Sequence, residues 1–199
     1  MLHADELHAF WFGDLGSDGL SDSEHSERWF RPDPDFDQAC RERFGAAVEQ
    51  ALTGDLDGWA DAPRSRLALV LLLDQLPRNL FRGDPRAFAG DPAALGWAER
   101  SLAEGSDLRL LPIERHFLYL PFMHAEDPGH QERSVDCFSR LVDDAPAAGR
   151  PRFEEALRYA REHQDVIRRF GRFPGRNAAL SRDSSPEEAS YLAESGAFG

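Results

Sequence analysis

The apolar residues of this chain recur at helical spacing from end to end and nowhere alternate with polar ones as a half-buried strand requires. No Val/Ile/Thr-rich stretch occurs, and Thr53 is the single threonine. A sheet has no segment to start from. The pattern predicts an all-α protein of about nine helices in antiparallel pairs joined by short loops. At 199 residues, with no low-complexity segment or long linker, the expectation is a single all-helical domain over 1–199.

The predicted helices can be placed from their caps. Ala4 to Phe12 reads as a short helix stopped by Gly13. Ser21, with Glu24 three residues on, matches a capping box for a helix that carries Trp29 and Phe30 and ends before Pro32. Asp35 is the expected cap of a long helix with Phe36, Cys40, Phe44, Val48 and Leu52 along one face. Pro63 opens a helix that is apolar on every side from Leu67 to Leu73 and should be central. Further helices are predicted for Asp91 to Glu104, Ile113 to Met123, Gln131 to Asp143, Pro151 to Phe170 and Pro186 to Ala193. No fixed-period repeat is visible, so any solenoid character would be degenerate.

Charge and composition exclude several functions. The 36 acidic residues against 23 basic ones give a net charge of −13, and every basic residue is arginine. Without lysine there is no Schiff base, phosphate-loop lysine or serine–lysine dyad. The negative mean field repels nucleic-acid phosphates, so no nucleic-acid partner is expected. Cys40 and Cys137 stand in no paired spacing and read as buried free thiols in a reducing cytoplasm. The start shows no basic region followed by an apolar one, and the run Leu67 to Leu73 is too short to span a bilayer. A cytoplasmic protein without a membrane partner is expected.

Polar residues interrupt the helical pattern at three places. Asp74 follows seven apolar residues, and Gln75, Pro77, Arg78 and Asn79 come directly after it. An ionised carboxylate there must be paired or hydrogen-bonded, and Pro77 leaves the Leu73 carbonyl without its helical donor. In the second place, the apolar helix around Phe117 meets Pro121, with His124 and Glu126 beyond. In the third, His163 lies on the face of Ile167, Gly171 ends the helix, and Arg172, Arg176 and Asn177 follow among aromatic, proline and glycine residues. Each group has a structural reading, as helix-pinning ion pairs, and a functional one, as an anion clamp. If the three segments converge, their polar tips line one cavity.

Three of these stretches, Leu-Leu-Asp-Gln-Leu-Pro-Arg-Asn-Leu-Phe-Arg-Gly, Tyr-Leu-Pro-Phe-Met-His-Ala-Glu-Asp and Phe-Gly-Arg-Phe-Pro-Gly-Arg-Asn, resemble the signatures of the bacterial domain-of-unknown-function 924 family. The opening Phe-Trp-Phe-Gly, Trp29–Phe30, Phe36–Asp37 and Pro186-Glu-Glu also fit, so the similarity runs from about Ala9 to Phe198. It implies an all-helical, tetratricopeptide-repeat-like right-handed superhelix or bundle, and no particular activity. Two departures are Ala125, where the family has serine, and Ser181-Arg182, where it tends to Gly-Arg. A hydroxyl at 125 and a glycine at 181 are therefore expected to be dispensable here.

Three functions compete. In the first, a small anionic ligand, carboxylate or phosphate, is held by Arg78, Arg172 and Arg176 and oriented by Gln75, Asn79 and Asn177. His124 or His163 would then serve as acid or base beside Asp74 or Glu126, and no cofactor is called for. In the second, a tetratricopeptide-like scaffold captures the carboxylate of a peptide or partner protein. The third is a metal-dependent enzyme using His124, His163, Asp74 and Glu126. It ranks last, because no H-E-x-x-H or Glu-x-x-His pair occurs and the nearby arginines repel a cation. The residues do not specify an oligomeric state.

Overall fold

The structure, a computed structural model, describes residues 2–195; Phe198, where the resemblance ends, lies outside them. Among the described residues there is no strand and nine α-helices follow one another. They are α1 (Ala4–Phe12), α2 (Ser23–Glu27), α3 (Pro34–Leu52), α4 (residues 63–80), α5 (Asp91–Ala103), α6 (Pro112–His124), α7 (Pro128–Asp144), α8 (Arg150–Phe170) and α9 (Pro186–Ser195). The all-α expectation holds. No helix among the described residues is long and apolar enough to cross a membrane.

Two predicted caps are displaced, the first by one residue and the second by two. The N-cap of α2 is Asp22, whose carboxylate accepts from the His25 amide, so Ser21 lies outside the helix. That helix ends at Glu27, and Trp29 and Phe30 follow it instead of riding on it. The N-cap of α3 is Asp33, accepting from the amides of Asp35 and Phe36, because Pro34 takes the first helical position, where its missing N–H costs nothing. Elsewhere the ends fall close to prediction. Gly13 and Gly171 leave α1 and α8 at φ of 67° and 70°, a region glycine enters without strain.

The chain divides into two compact units, residues 1–82 with 86–118, and residues 83–85 with 119–199. In the first, α4 packs against α1, α3 and α5, as its all-round apolar surface demands. Leu67 and the run Leu69 to Leu72 are fully buried, each side chain contributing about 1.5–3 kcal/mol relative to exposure. Beside them Trp11, Phe12 and Trp29 meet Phe117 edge to face at 4.7–5.6 Å, and the Trp29 indole donates to the Trp11 carbonyl.

Within α4, Leu71–Gln75 widens into a π-turn, where the Leu76 amide reaches back to the Leu71 carbonyl. Pro77 cannot donate to the Leu73 carbonyl, and such a defect commonly resolves by this local unwinding. The backbone of Gly90 presses on the same carbonyl. A Cβ at residue 90 would stand 2.2 Å from the Leu73 oxygen, so no side chain fits there without moving main chain.

In the second unit α7 and α8 form a helical hairpin. Cys137, Phe138 and Leu141 of α7 and Phe153, Ala156 and Ala160 of α8 are buried. Asp127 caps α7 through the His130 amide. Val166, Ile167 and Phe173 make a further small core, against which Phe170 and Tyr191 pack.

Candidate functional site

Asp74, Gln75, Arg78 and Asn79 belong to the first unit. The Asp74 side chain is fully buried, and its carboxylate accepts from Gln75 Nε2 at 2.6 Å and lies 3.3 Å from Arg78 Nη1. The same Nη1 donates to the Asp74 carbonyl at 2.6 Å. Arg78 grips Asp91, the first residue of α5, through both terminal nitrogens at 2.8 and 3.0 Å. Burial acts to lower the pKa of Arg78, but the charges of Asp74 and Asp91 outweigh it and raise it above its ordinary value. One helical position on, Asn79 donates to Asp37 of α3 at 2.7 Å, and Arg82 makes a two-pronged bond to the same carboxylate at 2.6 and 2.8 Å. Burial pushes the Asp37 pKa up, and the hydrogen bonds from Arg82 and Asn79 overcome this and hold it below the usual range. The segment after Pro77 thus fastens α4 to α5 on one side and to α3 on the other.

His124, Glu126, His163, Arg172, Arg176 and Asn177 belong to the second unit, and there the second and third signature segments meet. Glu126 accepts the Phe173 amide at 2.7 Å and a two-pronged bond from Arg182 at 2.7 and 2.9 Å. Burial raises the pKa of Glu126, but Arg182 and the Phe173 amide more than reverse that and leave it lowered. Arg182 also donates to the Asn177 side chain and the Phe173 carbonyl, while Asn177 donates to Ser184. Arg176, almost wholly buried, donates to the His124 carbonyl at 2.9 Å and lays its guanidinium 4.6 Å from the Phe173 ring centroid. His163 meets the same ring edge-on at 5.4 Å. Its Nδ1 lies 2.8 Å from the Tyr159 carbonyl, and since a carbonyl only accepts, Nδ1 carries the hydrogen. In the neutral ring that assigns the lone pair to Nε2.

Arg172 faces the other way, onto the start of α9. Its Nε and Nη2 clasp the buried Glu188 at 2.7 and 2.9 Å, and Nη2 reaches the Asp183 carbonyl. Glu188 also completes a capping box with Ser185, each side chain taking the other's amide. Arg172 first, then the Ser185 amide, hold the Glu188 pKa down at about 2. This arginine is an intramolecular brace.

Sequence reading missed Arg182 and Glu188 as the partners of Glu126 and Arg172. Arg182 stood only as a departure from a Gly-Arg pair, yet Ser181 adopts the left-handed φ of 54° that such a glycine would supply. It also missed a buried knot in the first unit. His8 Nε2 donates to Glu114 at 2.6 Å, Arg64 Nε donates to the same oxygen at 2.9 Å, and the Leu111 amide caps the other oxygen. Glu114 resembled an ordinary acid in the first turn of α6, and His8 stood 106 residues away with no motif around it. Among the described residues no three His, Cys, Asp or Glu side chains are grouped so as to hold a metal ion.

Both unit networks draw on the signature segments that resemble a bacterial family of unknown function, and comparison with known proteins shows that family. Residues 7–196 match the family described as bacterial protein of unknown function (DUF924), and the chain belongs to it. A solved structure of a protein of unknown function from Agrobacterium tumefaciens is 38% identical, covers 96% of this chain and 97% of its own, and superposes with a TM-score of 0.80. No curated protein matches the chain.

Proposed function

We propose that this protein binds a small anionic ligand, a carboxylate or a phosphate, through polar residues of its second and third signature segments. The observation that carries the reading is the pair on Phe173. Arg176 and His163, both in the interior of the second unit, pack on one ring, and the tautomer of His163 is set by the Tyr159 carbonyl. A guanidinium and an imidazole held together without freedom to swing form a preorganised anion grip. Asn177 serves as an orienting group, and His163 or His124 as the acid or base of any reaction at the bound anion. Arg172 supports this arrangement by holding Glu188 at the start of α9. A cytoplasmic setting and one domain over 1–199 belong to the same proposal, the buried thiols of Cys40 and Cys137, neither of them in a disulfide, favouring the former.

The test is a thermal-shift and calorimetric screen of small carboxylates and phosphates. A ligand that raises the melting temperature of the wild type should bind Arg176→Gln and His163→Gln at least tenfold more weakly, with both variants folded. A panel with no binder, or variants that bind as well as the wild type, would refute the proposal. The scaffold reading has one observation in its favour: Phe30, Leu108 and Leu111 of the first unit expose large apolar side chains that a peptide would cover.

A further inference from the structure

Two arginines of the first unit stand apart from the carboxylate pairing that occupies the others nearby. Arg28, just past α2, and Arg43, on α3, both lie against the Phe10 ring, their guanidinium carbons 5.4 and 4.5 Å from its centroid. Phe10 is itself fixed by Phe36, stacked at 5.5 Å and 6°, and by Phe44 at 4.9 Å. Arg28 also covers Phe36 at 4.9 Å and Arg43 covers Phe44 at 5.3 Å. Three aromatic rings from α1 and α3 therefore set the positions of both cations.

Neither arginine has a carboxylate within ion-pair distance among the described residues. The nearby acids are engaged elsewhere: Asp22 with the His25 ring at 2.8 Å, and Asp37 with Arg82 and Asn79. This is unexpected in a chain with a net charge of −13, where acids outnumber arginines. Arg28 donates through Nη2 to the Phe10 carbonyl at 2.9 Å, but its Nε is buried and meets no acceptor. A buried N–H without a partner is rare in folded proteins and marks a place where an acceptor belongs. Arg43 makes no hydrogen bond among the described residues, and its side chain is exposed.

We propose that Arg28 and Arg43 form an anion site for a phosphate group, distinct from the residues around Phe173. Packing on the rings leaves the N–H groups of Arg43 and the Nε of Arg28 for hydrogen bonding. Together these offer more donors than the two oxygens of a carboxylate can use, and they match a doubly charged group with three terminal oxygens. The Phe10 ring, against which both guanidiniums lie, supplies an apolar wall, which suits a phosphate monoester with an aromatic or aliphatic body. The site needs no metal, since the arginines carry the neutralising charge.

The experiment is titration of the full chain with inorganic phosphate and with phenyl phosphate, followed by calorimetry and by proton–nitrogen NMR of arginine side chains. Saturable binding is expected, with phenyl phosphate the tighter of the two and the Arg28 Nε resonance among those that shift. Arg43→Gln should weaken binding at least tenfold; its side chain is exposed, so the fold should not suffer. Arg28→Gln should do the same, and Arg31→Gln, an exposed arginine paired with Glu27, should not. A binding event that Arg43→Gln removes and Arg176→Gln retains separates this site from the one proposed above. Absence of saturable binding, or equal binding by wild type and Arg43→Gln, overturns the assignment. So does loss of binding in Arg176→Gln with Arg43→Gln unaffected.

Discussion

The knot around Asp74 and the knot around Glu126 are made from the same materials and differ in their access to water. Each lies within or just beyond an apolar helix containing a proline, each centres on one carboxylate, and each closes with an arginine and an amide side chain. The Asp74 side chain is 0% exposed, whereas that of Glu126 is 26% exposed and its partner Arg182 is 23% exposed. In the first knot, loss of one partner strands an uncompensated charge in the interior. In the second, water can replace part of what is lost. A shared sequence signature therefore specifies a shared bonding pattern, while the depth of the host helix decides how much stability depends on it.

The largest expected effect tests that contrast directly. Asp74→Ala leaves Arg78 with Asp91 alone and removes a buried acceptor, and should cost about 3–5 kcal/mol in urea unfolding. Glu126→Ala should cost about 1–2 kcal/mol by the same measurement. Equal losses would erase the distinction between the two knots.

A second test concerns acid. The Glu188 pKa is held at about 2 against an ordinary 4.5, so its pairing with Arg172 stabilises the fold fully above about pH 4.5 and is lost as the pH falls toward 2. Tyr191, on α9 and packed on Phe170, should report undocking of that helix by near-ultraviolet circular dichroism over this range. Glu188→Gln should flatten the transition, and an unchanged transition would remove Glu188 from the account. The smallest effect should come from Ser181→Gly. Relieving a left-handed serine should stabilise the protein by about 1 kcal/mol, visible as a higher melting temperature, with Arg182 keeping its grip on Glu126.

The sequence was most legible where a residue's chemistry is local. Helix periodicity, Pro63, Gly13, Gly171 and the central apolar run of α4 all report on neighbours within a few turns. The caps at Asp22 and Asp33 were misjudged by one and two positions because several acids and serines compete there, and only the path of the chain selects among them. The candidate site was legible in its residue types and not in its pairings. Asp74 announced that it needed a partner, and Arg78 four residues on was visible, but Asp91 was not. Arg172 offered a free guanidinium in sequence and turned out to be committed to Glu188, sixteen residues away and on a different helix. Contacts such as His8 with Glu114 have no signal in a single chain, because neither residue breaks the local pattern it sits in.

The wide turn in α4 has one more consequence. It accommodates one residue more than an α-helical path of equal length, and each residue of an α-helix rotates the side chains beyond it by about 100°. Arg78 and Asn79 reach Asp91 and Asp37 from that rotated phase. Deleting a single leucine between 71 and 73 would restore an ordinary helix and swing both residues off their partners, with every apolar contact upstream left in register. The aim of this segment is set by an insertion, in the way a shim sets the angle of a hinge.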